Sequence, residues 1–439
     1  MTFENLGLKA PFLQAIKETG YTAPTPIQQK AMPPALEGRD VLGCAQTGTG
    51  KTAAFGLPVL QRLDDAAGEE TVLRALVLTP TRELAAQIGE SFRTYGKHVE
   101  LWHSVIFGGV SEKAQIKELQ RGIDALVATP GRLLDLMNRG FIDLSKIEIF
   151  VLDEADRMLD MGFLPDVRRV IAKLPKKRQT LFFSATMAAP IRKLAEDLLV
   201  DPVSVAVDPV SSAAEKVTQS IYFVDKGDKR KLLVDILRQE EVKHTLVFSR
   251  TKHGANKIVK HLEKADIQAA AIHGNKSQGA RTRALDGFRS GALSVLVATD
   301  IAARGIDVDG ITHVINFDLP NVPETYVHRI GRTARAGKSG IALSFCEEEE
   351  RPYLEDVERL LKTHLPRTED HPYPPSQPIP GPTDLAGRMN SKPARRKSDR
   401  RPGGGGGQRR PRGGGGGGDR RPRGGGGGGG GRGRRSNKR

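Results

Sequence analysis

An α/β fold of two tandem parallel sheets, followed by a basic tail without tertiary structure, is what this sequence predicts. Short apolar runs alternate with helical stretches through two successive segments of the chain. Each run ends at once in polar or turn residues, as strands do on the side where open α/β sheets hold their ligands. Beyond Pro366 the composition turns to proline, then to glycine runs broken by arginine clusters.

The chain has 439 residues, too many for one ordinary domain, and its hydrophobic fraction of 38% suffices for two cores. The formal net charge of +16 is unevenly spread. Residues 384–439 hold 18 Lys and Arg against 3 Asp and Glu, which leaves residues 1–383 at +1. A polyanion partner is therefore indicated mainly by the tail. Cys44 and Cys346 lie far apart and make neither a disulfide framework nor a metal spacing, which fits a reducing cytosol. Cys44 reads as a small buried residue. The N-terminus lacks a signal pattern, and no apolar run approaches about 18 residues. A cytoplasmic protein without a membrane span is expected.

In chain order, Asp40-Val-Leu42 closes a strand, the loop Ala45-Gln-Thr-Gly-Thr-Gly-Lys-Thr52 follows, and Ala53–Leu63 suits a helix. Strand, loop and helix together fit the phosphate-loop pattern G-x-x-x-x-G-K-[ST], with Ala45 in place of the first glycine. Backbone N–H groups of Thr47, Gly48, Thr49, Gly50 and Lys51 would face a triphosphate, helped by the helix N-terminus. Lys51 would reach the β- and γ-phosphates, and the Thr52 hydroxyl would ligate Mg²⁺.

Ala75–Leu78, Ala125–Ala128, Ile149–Leu152 and Thr180–Phe183 are the further strands of the first segment, residues 1–205. Residues 206–216 read as a linker. The second segment, 217–365, carries strands at Thr245–Phe248, Val295–Ala298 and His313–Asn316. Leu126–Pro130 resembles Leu296–Asp300, and Phe183–Thr186 resembles Phe248–Thr251, so two related sheets are expected. Residues 366–439 cannot bury enough surface to offset their chain entropy.

Asp153-Glu-Ala-Asp156 directly follows the strand Ile149–Leu152. An acidic pair at a strand end downstream of a phosphate loop suits a Walker B site. Asp153 would hold Mg²⁺ through water, and Glu154 would orient or deprotonate the attacking water. The structural alternative is an acidic first turn of a helix over Ala155–Met161.

These motifs, with those after them, resemble the DEAD-box ATP-dependent RNA helicases of superfamily two, and most of all the bacterial RhlE type. The resemblance covers about residues 1–350. Gly20–Gln28, with Phe3 upstream, resembles the Q motif. Pro80–Leu84, Gly108-Gly109 and Thr129–Arg132 resemble motif Ia and its successors, and Ser184-Ala-Thr186 resembles motif III. Val247–Arg250 resembles motif IV, Gln278 with Arg281 the Q-x-x-R element, Ala298–Asp307 motif V and His328–Arg335 motif VI.

The resemblance implies two RecA-like domains, at 1–205 (Q motif within 1–29) and 217–365, with ATP between them. It assigns Thr25, Gln28, Gln46 and the rest of Ala45–Thr52 to the nucleotide, and Asp307 to the ribose. An amide such as Gln28 both donates to and accepts from an adenine edge. Phe3 or Tyr21 would pack on the purine; for Phe3 a simple core anchor is the alternative. Arg332 and Arg335, three apart and so on one helix face, become arginine fingers that reach the γ-phosphate, with His328 near the catalytic water. Thr81, Arg82, Gly109, Thr129, Arg132, Arg281, Thr299 and Gly305 would grip an RNA backbone with little base preference. Ser184 and Thr186 would couple the two sites.

One departure stands in motif VI, where Ala334 replaces the family's common glycine and could restrict a backbone torsion. The Arg/Gly tail suits non-specific RNA tethering. The expected activity is RNA-stimulated ATP hydrolysis that unwinds short duplexes or remodels RNA–protein complexes. Rival readings are an ATP-gated RNA clamp or assembly scaffold, a tail-driven RNA chaperone and a DNA helicase.

Overall fold

Two fully parallel sheets with the same strand order organise the chain. The computed structural model describes residues 2–45, 48–66, 71–207, 217–239, 241–303, 308, 310–334, 339–379 and 381. The first sheet holds β1 (Val41–Cys44), β2 (Ala75–Leu78), β3 (His103–Ile106), β4 (Ala125–Ala128), β5 (Ile149–Leu152), β6 (Gln179–Ser184) and β7 (Val203–Ala206). Their order is β3-β4-β2-β5-β6-β1-β7. The second holds β8 (Val217–Phe223), β9 (Thr245–Phe248), β10 (Ala269–Ile272), β11 (Val295–Ala298), β12 (His313–Asn316), β13 (Gly340–Cys346) and β14 (Arg367–Thr368). Their order is β10-β11-β9-β12-β13-β8-β14, which is the first order again when counting restarts at β8.

Strands buried on both faces must be apolar throughout. In β2, Ala75 and Val77 join one core with Phe55 and Phe92, while Leu76 and Leu78 join the opposite core with Met158 and Val167. In the second sheet Val247 and Val297 face one core, and Leu246 and Leu296 the other. The strands expected from apolar runs are therefore present. Those not expected are short or mixed in composition: β3 begins with His103-Ser104, β7 and β14 are four and two residues long, β8 carries Thr218-Gln-Ser220, β10 is alanine-rich, and β13 opens on Gly340 and includes Ser344.

Two expectations are corrected. Leu126–Pro130 and Leu296–Asp300 do occupy equivalent strands, β4 and β11. Phe183–Thr186 and Phe248–Thr251 do not: they begin at the ends of β6 and β9, which hold different places in the two sheets.

The second correction concerns the segment from Pro366. Its first part is folded, and it supplies the seventh strand. Arg367 and Thr368 pair in parallel with Ile221 and Tyr222, and Ile221 N–H donates to the Pro366 carbonyl at 2.8 Å. Tyr373 donates its hydroxyl to Asp235 at 2.6 Å, Ser376 N–H donates to Asp225 at 3.1 Å, and Ile379 packs on the core. Prolines are tolerated here because the strand is at an edge. The remainder of the tail, residues 382–439, lies outside the described residues, as do 208–216 of the expected linker.

This strap protects an otherwise bare edge of β8. A chain ended at Leu365 should lose its ladder bonds and the burial of Ile379, on the order of 2 kcal/mol, and melt about 4–8 °C below a chain ended at Gly381. Equal melting temperatures in a thermal scan would show that the strap contributes nothing.

Candidate active site

The phosphate loop leaves the C-terminal end of β1. Ala45, buried, extends the ladder by donating its N–H to the Ser184 carbonyl at 3.1 Å. Gly48 and Gly50 have φ of 83° and 92°, the left-handed region that glycine enters freely. Gly50 then caps the helix Lys51–Asp65, whose first N–H groups have no partner within the helix. A Cβ at Gly50 would lie 2.4 Å from Gln28 Nε2, so the position needs glycine for space as well as for torsion. Lys51 is buried, and its Nζ has no hydrogen-bond partner among the described residues. A buried, unsatisfied ammonium at a helix N-terminus suits a phosphate. Thr52 is half-buried and Thr49 lies at the same turn. Gln46 and Thr47 lie outside the described residues.

The segment read as a nucleotide-base pocket packs directly on this loop. Thr25 precedes the helix Pro26–Leu36 and donates its N–H to Gln28 Oε1 at 2.9 Å. Gln28 Nε2 donates to the Gly50 carbonyl at 3.1 Å, which fixes the amide and leaves one N–H and one lone pair for an adenine edge. Phe3 is buried and belongs to the first core cluster. Tyr21, 42% exposed, stacks on Phe3 at 6.4 Å and meets the Tyr95 hydroxyl at 3.2 Å.

Asp153 and Glu154 follow β5 and are each 2% exposed. Asp153 N–H donates to the Leu78 carbonyl at 3.0 Å, and Glu154 N–H to Asp153 Oδ1 at 3.0 Å. Glu154 has φ 54°, a strained torsion for a non-glycine residue. Burial pushes the Asp153 carboxyl up to about 7, although Lys51 opposes the shift. Burial also acts on Glu154, but Arg157, Lys51 and Arg332 outweigh it and hold that carboxyl low. Arg157 Nη1 donates to Glu154 Oε2 at 2.5 Å. The adjacent carboxylates are thus shifted in opposite directions.

Ser184 and Thr186 wrap Asp156. Asp156 N–H donates to Ser184 Oγ at 3.3 Å, and Asp156 Oδ2 accepts from Thr186 N and Oγ1 at 2.9 and 3.1 Å. Ser184 Oγ donates to the Thr186 carbonyl at 2.7 Å.

The second sheet brings its own groups to this place. His328 is half-buried on the helix Pro323–Ile330. Burial pushes its pKa down to about 4; Arg157 adds to the shift, and Asp156 and Glu154 of the first half oppose it. Arg332 is buried, with Nε donating to the His328 carbonyl at 3.2 Å. Burial and Arg157 lower its pKa to about 9, against Glu154, so it stays cationic at neutral pH. The helix ends at Ile330, so Arg332 sits on the following turn. Arg335, Asp307 and Gly305 lie outside the described residues.

Residues that the sequence reading passed over complete the picture. Arg329 pairs with Asp300 through Nε (2.5 Å) and Nη2 (2.8 Å), and its Nη1 donates to Asn316 Oδ1 at 3.1 Å and the Asp318 carbonyl at 2.6 Å. Asp300 adjoins Thr299, and Arg329 adjoins His328, so the two motifs are joined by one forked ion pair. The only sequence signal for Arg157 was its place directly after Asp156.

On the other side of the cleft, Thr81 caps the helix Arg82–Tyr95 by accepting from Leu84 N–H at 3.3 Å. Arg82 lies over Gly109 (φ 79°) and donates to Gln278 Oε1 at 3.3 Å. Glu83 takes Gln278 Nε2 at 3.1 Å and Arg281 Nη2 at 3.0 Å. Arg281, expected on a polyanion, is thus held by a first-half carboxylate. Arg132 donates to Gln115 Oε1 at 2.8 Å and the Val110 carbonyl at 3.2 Å. Thr129 is buried at the cap of the helix Pro130–Asn138. Thr299 N–H donates to the Ile272 carbonyl at 3.3 Å.

Residues 25–194 match the family model for DEAD/DEAH box helicases, and residues 228–337 that for the helicase conserved C-terminal domain. The ATP-dependent RNA helicase CshA of Limosilactobacillus reuteri is 42% identical over 367 residues, 83% of this chain and 73% of the relative. The chain belongs to the DEAD-box ATP-dependent RNA helicases. DeaD of Escherichia coli is 44% identical over 84% of this chain and 58% of its own length. Among solved structures, Saccharomyces cerevisiae Dbp5 bound to RNA and ADP BeF3 has a TM-score of 0.77 at 33% identity, covering 84% of this helicase and 95% of Dbp5. Mss116p bound to ssRNA and AMP-PNP gives 0.76 at 28% identity, over 84% and 78%.

Ala334 has φ 56°. The left-handed torsion costs a side chain about 1–2 kcal/mol, against about 0.5–1 kcal/mol of extra chain entropy for glycine. Ala334→Gly should therefore raise stability by roughly 0.5–1 kcal/mol in urea denaturation, and a lower midpoint would refute the strain.

For His328 the folded pKa of about 4 lies below the ordinary 6.5. The unfolded chain then binds a proton that the folded chain refuses. Stability is full above pH 6.5 and is lost as pH falls from 6.5 toward 4. His328→Gln should flatten that acid limb, and parallel curves of stability against pH would contradict the assignment.

Proposed function

We propose that this helicase hydrolyses ATP when RNA bridges its two halves, and uses the cycle to open short duplexes or remodel RNA–protein complexes. The observation that carries the reading is the composition of the charge cluster. Glu154, Asp156 and Arg157 come from the first sheet, and His328 and Arg332 from the second. Such a site is complete only when the halves meet. Dbp5 bound to RNA and ADP BeF3, and Mss116p bound to ssRNA and AMP-PNP, support the same reading.

Each residue has a role in it. Lys51 and the N-terminus of its helix bind the phosphates. Gln28 reads the adenine edge, and Glu154, held ionised by its neighbours, orients the attacking water. Arg332 sets positive charge against the transferring phosphoryl group, with Arg335 as its partner finger and Asp307 on the ribose. His328, neutral at physiological pH, donates or accepts a hydrogen bond at the water. Thr52 and Asp153 would hold Mg²⁺, which when bound neutralises phosphate charge. The buried Asp153 carboxyl beside the orphaned Lys51 fits that pairing of metal and phosphate.

Thr81, Arg82, Gly109, Thr129, Arg132, Thr299 and Gly305 form the RNA face, and the contacts of Glu83 with Gln278 and Arg281 close its two sides. The Arg/Gly tail tethers RNA by charge, an interaction that weakens steeply with salt. The RhlE-type affiliation rests on motif phrasing, and a cytosolic setting on two separate free thiols. No helix among the described residues is long and apolar enough to cross a membrane.

Steady-state ATP hydrolysis measured alone, with single-stranded RNA and with matching DNA tests the proposal. Turnover should rise with RNA and not with DNA, and Glu154→Gln should lower it about a hundredfold or more. Turnover indifferent to RNA would overturn the reading.

A further inference from the structure

The turn that carries Arg332 is braced from two sides by a residue with no assigned role. Past the helix Pro323–Ile330, the backbone runs through single-turn bonds, Arg332 N–H to the Arg329 carbonyl and Thr333 N–H to the Ile330 carbonyl, each 3.1 Å. Thr333 is 3% exposed, and its Oγ1 donates to the Ile311 carbonyl at 2.5 Å, with the Thr312 carbonyl at 3.2 Å. That loop leads into β12 and is itself tied to β13, because the Thr312 carbonyl accepts Ile341 N–H at 3.1 Å.

Gly340 closes the other side. A Cβ there would stand 2.4 Å from Thr333 Oγ1, 2.5 Å from Thr333 Cγ2 and 2.6 Å from the Ala334 nitrogen. Thr333 therefore sits between a hydrogen-bond acceptor and a wall that only glycine can form. Directly after it Ala334 takes its strained torsion, φ 56°. The side chain just before it, Arg332, is buried beside Glu154 and Arg157 of the other half.

We infer that Thr333 is a positioning residue for ATP hydrolysis: its hydroxyl, wedged between the Ile311 carbonyl and Gly340, sets the direction in which Arg332 crosses to Glu154. The inference rests on the function proposed above. An arginine that acts on the transferring phosphoryl group contributes in the transition state, so misdirecting it lowers kcat more than it weakens binding. A misplacement of about 1 Å can cost about a hundredfold in rate.

The test is RNA-stimulated ATP hydrolysis by the full chain and by Thr333→Val, Thr333→Ser and Gly340→Ala, with KM for ATP, RNA affinity and a thermal melt for each. Thr333→Val removes the hydroxyl at constant shape. It should lower kcat about ten- to a hundredfold while KM and RNA affinity stay within about twofold. Thr333→Ser, which keeps the hydroxyl, should recover most of that loss. Gly340→Ala, which pushes the wall into Thr333, should lose kcat in the same way. A folded Thr333→Val with the wild-type kcat overturns the inference, and so does a loss that serine does not rescue or one matched by weaker RNA binding. If wild-type turnover does not respond to RNA, the functional reading fails and the inference falls with it. An active wild type matched by Thr333→Val sinks the inference alone.

Discussion

A single buried charge cluster constrains much of this molecule. Glu154 and Arg157 form a nearly inaccessible ion pair at the end of β5, and Arg332 and His328 reach it from the other sheet. Taking such groups out of water costs roughly several kcal/mol each, and only well-placed partners compensate. Neither half holds the full set of partners. The pairing of the halves is therefore written into the electrostatics of the site, and so is its sensitivity to the nucleotide that would sit among these charges.

The strand order places that cluster. Both sheets are fully parallel, so every strand delivers its C-terminal end to the same side. Asp153 follows β5, Ser184 closes β6, the phosphate loop follows β1, and Thr299 follows β11. Repeating one order twice gives two such edges, which can face each other across a cleft. The strap at Arg367–Thr368 belongs to this logic, since it restores in the second sheet the place that β7 holds in the first.

Inside the second half, the forked pair between Arg329 and Asp300 joins two motifs with different tasks. Asp300 follows Thr299, proposed for the RNA face, and Arg329 adjoins His328, proposed for the nucleotide site. On the opposite rim Glu83 gathers Gln278 and Arg281. Ser184 and Thr186 do the comparable work around Asp156. These short links tie motifs that are distant in sequence through hydrogen bonds and ion pairs, where motif order alone gives only proximity in name.

By itself the sequence determined the parallel α/β class, the unbroken apolar strands, the phosphate-loop pattern and the acidic pair, because apolar runs and glycine-lysine spacing are local signals. It also marked Ala334 as a torsional anomaly, and the torsion is left-handed. It did not reveal β3, β7, β8, β10, β13 or β14, which are short or carry polar, glycine or alanine residues and become strand through pairing with neighbours. Nor did it show that residues 366–379 fold, since proline-rich composition speaks for disorder until an edge strand accepts it. Tertiary structure alone decided that Phe3 is buried against Tyr21, that Arg281 meets Glu83, that Arg332 lies past the end of its helix and that the Thr333 hydroxyl bonds the Ile311 carbonyl. Each of these depends on which distant backbone or charge lies within about 3 Å, and hydrogen bonds and buried charges are set at that range.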